Sequence, residues 1–338
     1  MRCWELTSFG TEGLRCAERP DPKPGPGQVL VRVRACSLNY RDLLVVRGQY
    51  NPKLPLPIVP LSDGAGVVEA VGEAVTRVRT GDRVAGLFAP GWQGGPPELG
   101  ELRGTLGGPL GGMLAERVVL PETGVARVPA HMSDVEASTL PCAALTAWSA
   151  LVELGPVRPG ETVLVQGTGG VALFALQIAQ MLGARVVVTS RHPTKLERAK
   201  QLGAWQTIDT SAEPDWGRRA RELTAGAGVD HVVDLGGANT LAQSLRAVRP
   251  GGTVSVIGVL GGRQTELDVT AVLMNQVRLQ GVFVGHRKGF EAMVRAFEAA
   301  RLRPVIDRVF DWDQAPAAID ALGRGAHFGK LVVRVAED

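Results

Sequence analysis

The chain has 338 residues, 45% hydrophobic and 21% charged, a length and balance that suit one large or two ordinary domains with a real core. Net charge is +3, from 37 basic and 34 acidic side chains interleaved along the chain; no basic stripe carries aromatics between its charges, which excludes nucleic acid as an expected partner. No stretch approaches the roughly 18 uninterrupted apolar residues of a membrane span, and four cysteines (Cys3, Cys16, Cys36, Cys142) without C-x-x-C spacing read as reduced thiols in a cytoplasmic protein.

In chain order, residues 1–128 read as a β-rich region. The first residues already carry charge and glycine, unlike a signal segment. Strand-like runs are QVLVRVRA (28–35), GAGVVEAVG (64–72), DRVAGLF (82–88) and AERVVLP (115–121), separated by turns rich in the chain's 43 glycines and 22 prolines. After the first run comes a corner that concentrates hydrogen-bonding side chains. Asn39, Tyr40, Arg41 and Asp42 precede a short helical stretch, and Arg47 and Tyr50 follow it; these are the chain's two tyrosines. The segment 90–112 reads as a long Gly/Pro-rich loop.

The texture changes at Pro129. Residues 133–155 have helical spacing, with Ser133 as N-cap and Glu136 three positions on. From Glu161 strand and helix alternate: strands at 162–167, 185–190, 229–236, 253–262 and 279–285, with helices at 169–184, 193–204 and 239–252. This is the rhythm of a doubly wound parallel sheet, so residues 129–289 are expected to form an α/β domain. A helix (290–301), a strand (304–310), a helix (315–325) and a last strand (329–335) complete the chain.

The turn from the first strand of that domain into its helix reads Gly167, Thr168, Gly169, Gly170, Val171, with Ala172 where G-x-G-x-x-G has its third glycine. Glycines there let a pyrophosphate approach backbone N–H groups at the positive end of the helix. An ordinary tight turn uses the same residues, but the β-α-β context favours a dinucleotide. The next strand ends in Ser190 and Arg191, with Lys195 one short helix turn later. A site for NAD usually presents an acid at that end to hold the ribose 2′-OH. Arg191 can instead pair with a 2′-phosphate and stack on adenine, which points to NADPH; the alternative is that Arg191 and Lys195 are a solvated surface pair.

The Gly/Pro-rich β region, SLNYRD, SDGAGVVEAVG, LPCAALTAW, VQGTGGV and the terminal GKLVVRV together resemble the medium-chain dehydrogenase/reductase superfamily, and within it the zinc-independent branch that includes quinone oxidoreductases. The resemblance covers nearly the whole chain. It implies a GroES-like catalytic domain built from residues 1–128 and 290–338 and a Rossmann-type domain over 129–289. Zinc-dependent relatives supply Cys, His and Cys ligands, with a Glu beside the His. Their motifs place Asn39 at the first Cys, Ser62 at the His and Asp63 at the Glu, and only Cys142 matches. Three N/S/O protein ligands are needed for Zn²⁺, so no metal is expected. The four-Cys lobe of those relatives is likewise missing from 90–112, and Cys142 reads as a small buried residue rather than a nucleophile.

The resemblance further implies that Asn39 and Tyr50 line the substrate side of the nicotinamide, and that Asp42 holds the corner. Tyr40 is either a site residue or a packed aromatic. Implied cofactor contacts are Thr146, Gly236, Gly237, the Gly258, Val259 and Leu260 turn, the backbone of Val284 and Gly285, and the Phe328–Lys330 segment with Lys330. The leading expectation is a zinc-free, NADPH-dependent reductase that passes hydride to a quinone or an α,β-unsaturated carbonyl, with Asn39 and Tyr50 stabilising an enolate-like oxyanion. A metal-free alcohol or aldehyde dehydrogenase, or an NADPH-binding protein with little turnover, are the alternatives. Pairing through the strand at 278–285 makes a homodimer the default assembly.

Overall fold

Strands β1 (Arg2–Leu6) and β2 (Leu14–Glu18) open the chain as an antiparallel pair. In β3 (Gln28–Ser37), Val29, Val31, Val33 and Ala35 are fully buried on one face, while the other face carries the exposed Arg32 and half-buried Arg34 between the buried Leu30 and Cys36. Helix α1 (Tyr40–Val46), β4 (Asp63–Val71), β5 (Arg83–Gly86), the short α2 (Leu99–Arg103), β6 (Arg117–Pro121) and β7 (Val125–Arg127) follow. The computed structural model describes residues 1–336.

Helix α3 (Asp134–Ala137) starts as its sequence predicts. Ser133 Oγ accepts from Glu136 N at 3.2 Å, and the Glu136 carboxylate accepts from Ser133 N at 2.8 Å. It does not run on as one helix to 155. Pro141 has no N–H to give, and the chain widens into π-helical turns at Leu140–Ala144 and Ser149–Glu153 on either side of α4 (Leu145–Trp148).

The alternating region comprises β8 (Thr162–Gln166), α5 (Gly170–Met181), β9 (Arg185–Ser190), α6 (Pro193–Gln201), β10 (Gln206–Asp209), α7 (Trp216–Leu223), β11 (Val229–Asp234), α8 (Leu241–Ala247), β12 (Val248–Val256), α9 (Val269–Met274) and β13 (Arg278–Gly281). All its strand pairs are parallel, in the order β10-β9-β8-β11-β12-β13. That order reverses direction between β8 and β11, where doubly wound sheets bind nucleotides. Its centre is a continuous apolar layer in which Leu164, Val187, Val232 and Val254 are fully buried. The chain ends with α10 (Arg287–Ala300), β14 (Ile306–Phe310), α11 (Ala315–Arg324) and β15 (Lys330–Arg334). β15 pairs with β3, giving a second sheet in the order β14-β15-β3-β4-β5-β7, with β6 also on β3.

The chain divides into two compact units: residues 1–145 with 284–336, carrying the GroES-like sheet, and Thr146–Phe283, carrying the parallel sheet. The expected boundaries were 128/129 and 289/290. The first unit extends further, and hydrogen bonds tie residues of these added stretches to it. Arg83 Nη2 of β5 meets Asp134 Oδ1 at 2.6 Å, Cys142 N donates to Asp63 Oδ2 at 3.3 Å, and Arg287 N donates to Trp92 O at 3.0 Å. Among the described residues no helix is long and apolar enough to cross a membrane.

Candidate active site

Pairing of β15 with β3 (Val332 opposite Ser37, Val333 opposite Cys36) sets Lys330, the first residue of β15, beside Leu38 and Asn39, which follow β3. Lys330 Nζ donates to Leu38 O and to Asn39 Oδ1, both at 2.6 Å, and lies 3.9 Å from Asp63 Oδ2. The Lys330 side chain is 3% exposed and that of Asp63 0%. Asp63 enters β4 opposite Ser37. Its carboxylate accepts from Ser37 Oγ at 3.2 Å, Ser62 Oγ at 3.4 Å and Cys142 N at 3.3 Å. Burial pushes the Asp63 carboxyl up to about 6, with the Lys330 charge opposing. Burial pulls the Lys330 ammonium down, with Asp63 opposing, and drives the Cys142 thiol well up, with Asp63 adding to the rise.

The helix corner is held by its own acid. Asp42 Oδ2 accepts from Asn39 N at 2.8 Å, and Oδ1 accepts from Ser62 N at 3.2 Å. Leu61 has φ +67°, in the left-handed region that a side chain disfavours, and the chain leaves it with Ser62 N on Asp42. Arg41 is buried; it donates to Leu106 O at 2.6 Å and Gly108 O at 2.9 Å, and lies 3.4 Å from Asp42 Oδ1. It thereby ties the 105–108 loop to α1. Tyr50 lays its ring on this guanidinium, 4.8 Å from the centroid, and is 39% exposed. Tyr40 opens α1 and is exposed to nearly the same degree.

In the second unit the glycines of the nucleotide turn stand at the carboxyl end of β8. Gly167 has φ +77°, Gly169 caps α5, Gly170 is its first residue, and Thr168 is buried. Val171 is half-buried in the first turn of α5. Two polar side chains that the sequence reading did not single out organise the neighbouring loops. Gln166 Oε1 accepts from Leu235 N and Gly236 N, each at 3.1 Å, and its Nε2 donates to Ser244 Oγ at 2.8 Å. Asp234 Oδ1 accepts from Gly236 N, Gly237 N and Thr240 Oγ1, and its backbone oxygen accepts from Ile257 N and Gly258 N. Gly258 passes so close to Leu235 that a Cβ would lie 2.1 Å from its carbonyl oxygen. The Gly167, Gly236–Gly237 and Gly258 positions are thus brought together, with Val259 and Leu260 exposed beyond them. The available signal was positional: Gln166 closes β8 and Asp234 closes β11, each directly ahead of a glycine-bearing turn.

Ser190 closes β9, buried, with its Oγ accepting from His192 N at 3.2 Å; Arg191 beside it is exposed, and Lys195 is half-buried in the first turn of α6. Thr146 is buried in α4. Val284, at φ +45°, and Gly285 are buried residues of the first unit just ahead of α10. A β-branched residue in that region is a true outlier, so the backbone expected at the carboxamide is strained. Lys330, expected at the cofactor, directs its ammonium to Leu38, Asn39 and Asp63 within the first unit.

The positions that carry zinc ligands in relatives do converge here, but their chemistry does not fit Zn²⁺. Asn39 Oδ1 is taken by Lys330, and the Ser62 hydroxyl bridges Asn39 Nδ2 and Asp63. Of the three positions, only Cys142 carries a side chain that a zinc ion commonly takes. A buried ammonium already supplies the positive charge, and a dication beside it would be repelled. Among the described residues no group of three or more His, Cys, Asp and Glu is placed to hold a metal.

Residues 170–299 match the zinc-binding dehydrogenase family, and residues 25–130 the alcohol dehydrogenase GroES-like domain. A zinc-type alcohol dehydrogenase-like protein of Schizosaccharomyces pombe is 41% identical over 333 residues, covering 96% of each chain. The crystal structure of a putative alcohol dehydrogenase from Sinorhizobium meliloti 1021 superposes with a TM-score of 0.93 at 47% identity, covering 99% of this chain and 98% of that one. A mycobacterial quinone oxidoreductase superposes with a TM-score of 0.82 at 29% identity, covering 99% and 100%. On these likenesses, and on its paired GroES-like and doubly wound units, the chain belongs to the medium-chain dehydrogenase/reductase superfamily, as an alcohol dehydrogenase-like oxidoreductase of a family that works with nicotinamide cofactors.

Proposed function

We propose that the protein is a zinc-free, NADPH-dependent reductase of quinones or α,β-unsaturated carbonyls. The observation that carries this reading is the seating of Asn39, an amide locked by a buried ammonium at the position where relatives hold a metal ligand. When bound, NADPH supplies the hydride. The Gly167–Gly170 turn and the N-terminus of α5 would hold its pyrophosphate, and Ser190 with Arg191 its 2′-phosphate. Asn39 Nδ2, with Tyr50, would donate to the oxygen on which negative charge develops. A conjugated acceptor suits such a site because it spreads that charge, so hydrogen-bond donors can do what a Lewis acid does for simple carbonyls. The likeness to a quinone oxidoreductase supports the same reading.

The test is an acceptor screen with NADPH and NADH against quinones, enones and aldehydes, with alcohols tried against NADP⁺ and a binding titration run alongside. Oxidation of NADPH by a quinone or enone is expected. Preferred turnover of alcohols would favour the metal-free dehydrogenase, and tight binding without oxidation a binding protein. The exposed apolar Val269, Leu273 and Met274 of α9, ahead of the edge strand β13, support a homodimer that covers them, and the free thiols, one of them the exposed Cys16, suit a cytoplasmic setting.

Cofactor choice gives a direct prediction. A charge-assisted hydrogen bond is worth roughly 1.5–3 kcal/mol, and the exposure of Arg191 places it at the low end. Arg191→Ala should therefore raise the Kd for NADPH on the order of tenfold and leave NADH almost unchanged. Ser190→Asp should go further and invert the preference, because it adds repulsion to the 2′-phosphate. Dissociation constants at fixed ionic strength decide it; equal weakening of both cofactors by Arg191→Ala would remove Arg191 from the phosphate site.

A further inference from the structure

We infer that Lys330 is the positioning residue of the substrate side: its ammonium is the cluster's resident cation, and it sets which end of the Asn39 amide is offered to the acceptor. The inference rests on the reading of Asn39 as the substrate-side donor.

Three features of the first unit support it. The seat is built. Gly329, at φ +98°, brings the chain against Val305, where a Cβ would lie 2.3 Å from the carbonyl oxygen; Lys330 N then donates to Val305 O at 2.9 Å. A residue with a side chain at 329 could not make this turn, so the glycine aims the lysine. The contact is one-directional. An ammonium has donors and no acceptor, so it can face only Asn39 Oδ1, and the amide cannot flip without losing a 2.6 Å charge-assisted bond. The donor end faces weaker partners. Nδ2 makes a long contact, 3.4 Å to Ser62 Oγ, and also interacts with the Asp63 carboxylate, so an acceptor competes with these two for its N–H groups. Without the cation the amide is free to present its oxygen, which repels a developing oxyanion instead of stabilising it.

Asp63 completes the device. Held by Ser37, Ser62 and the Cys142 N–H, it neutralises the ammonium 3.9 Å away without taking the place of Asn39 on Nζ. The C-terminal strand thus delivers a charge to a side chain 291 residues earlier in sequence.

The experiment compares wild type, Asn39→Ala, and the paired variant Lys330→Met/Asp63→Asn, which removes both buried charges together, along with the triple combination. Thermal unfolding and the NADPH Kd are measured first, then kcat and KM for the acceptor. The paired variant is expected to fold, to bind NADPH within about twofold of wild type, and to lose kcat by roughly tenfold to a hundredfold with KM little changed, the scale of a misplaced catalytic group. Added to Asn39→Ala it should cost nothing more, because it acts through that residue. Normal kcat in the paired variant beside an impaired Asn39→Ala overturns this inference alone, as do losses that multiply. An unimpaired Asn39→Ala overturns the reading of Asn39 and this inference with it. Where the paired variant does not fold, Lys330→Arg decides: its planar fork cannot seat one N–H on Asn39 Oδ1 in the same place, so kcat should fall severalfold, and wild-type kcat contradicts the inference.

Discussion

Asn39→Ala is expected to lower kcat by roughly 10²–10³ while leaving the NADPH Kd within about twofold, the effect of removing one preorganised donor from a developing oxyanion. The side chain is buried, its Oδ1 is held by Lys330 and its Nδ2 makes only a long 3.4 Å contact with Ser62 Oγ beside the Asp63 carboxylate, so truncation removes the donor and leaves the ammonium one partner short. Asn39→Asp separates donation from packing. It keeps the shape and offers Lys330 a stronger partner, but it has no N–H and brings negative charge to the wrong place, so its loss of kcat should be at least as large. Steady-state kcat and KM beside a cofactor titration check both variants. Activity retained by Asn39→Asp would show that the amide N–H plays no part.

The largest expected effect on stability is at Asp42. Asp42→Ala should destabilise the first unit by about 3–5 kcal/mol, the usual consequence of removing one member of a buried charged pair. Two backbone donors, Asn39 N and Ser62 N, lose their acceptor, and the buried Arg41 loses its carboxylate. Native domains hold only about 5–15 kcal/mol in total, so this one change consumes much of the margin. Asp42→Asn keeps an acceptor oxygen of the same size and should cost clearly less. Urea unfolding of the three proteins measures the difference. Equal stabilities for wild type and Asp42→Ala would mean that water or a rearranged loop satisfies those donors, and the corner would not be the rigid base on which Asn39 stands.

Legibility in the sequence was uneven, for identifiable reasons. The parallel sheet could be read because its central strands are buried on both faces and appear as short apolar runs, VLV at 163–165 and VVV at 186–188, and because Gly167 and Gly169 mark the turn after the first of them. β1, β2 and β10 escaped notice: RCWEL, LRCAE and QTID are short and carry charge or polar side chains, so alternation has too few positions to register. The helix start at Ser133 was visible in its capping box, but the π-helical turns beyond it depend on how the backbone fits around Pro141. At the site, Asn39 and Asp42 stood out within SLNYRD. The partner of Asn39 did not, because Lys330 reaches it only through the register of β15 on β3, which neither strand specifies alone. The left-handed backbone at Leu61 and Val284 leaves no trace in residue type, since both positions carry side chains that disfavour it. The metal question lay between these cases: the residue types argued against zinc, and the buried ammonium adds a reason that composition does not contain.

If hydrogen bonds anchored by a protein cation, rather than a metal, activate the acceptor, turnover must be independent of zinc, and elemental analysis coupled to kinetics on one preparation decides it. The purified protein is treated with a strong chelator, its zinc content is measured, and NADPH oxidation with its best quinone or enone is followed before and after. Substoichiometric zinc and undiminished turnover are expected. One tightly held zinc per chain, whose removal abolishes activity and whose return restores it, would mean that a metal and not the Lys330–Asn39 pair activates the acceptor.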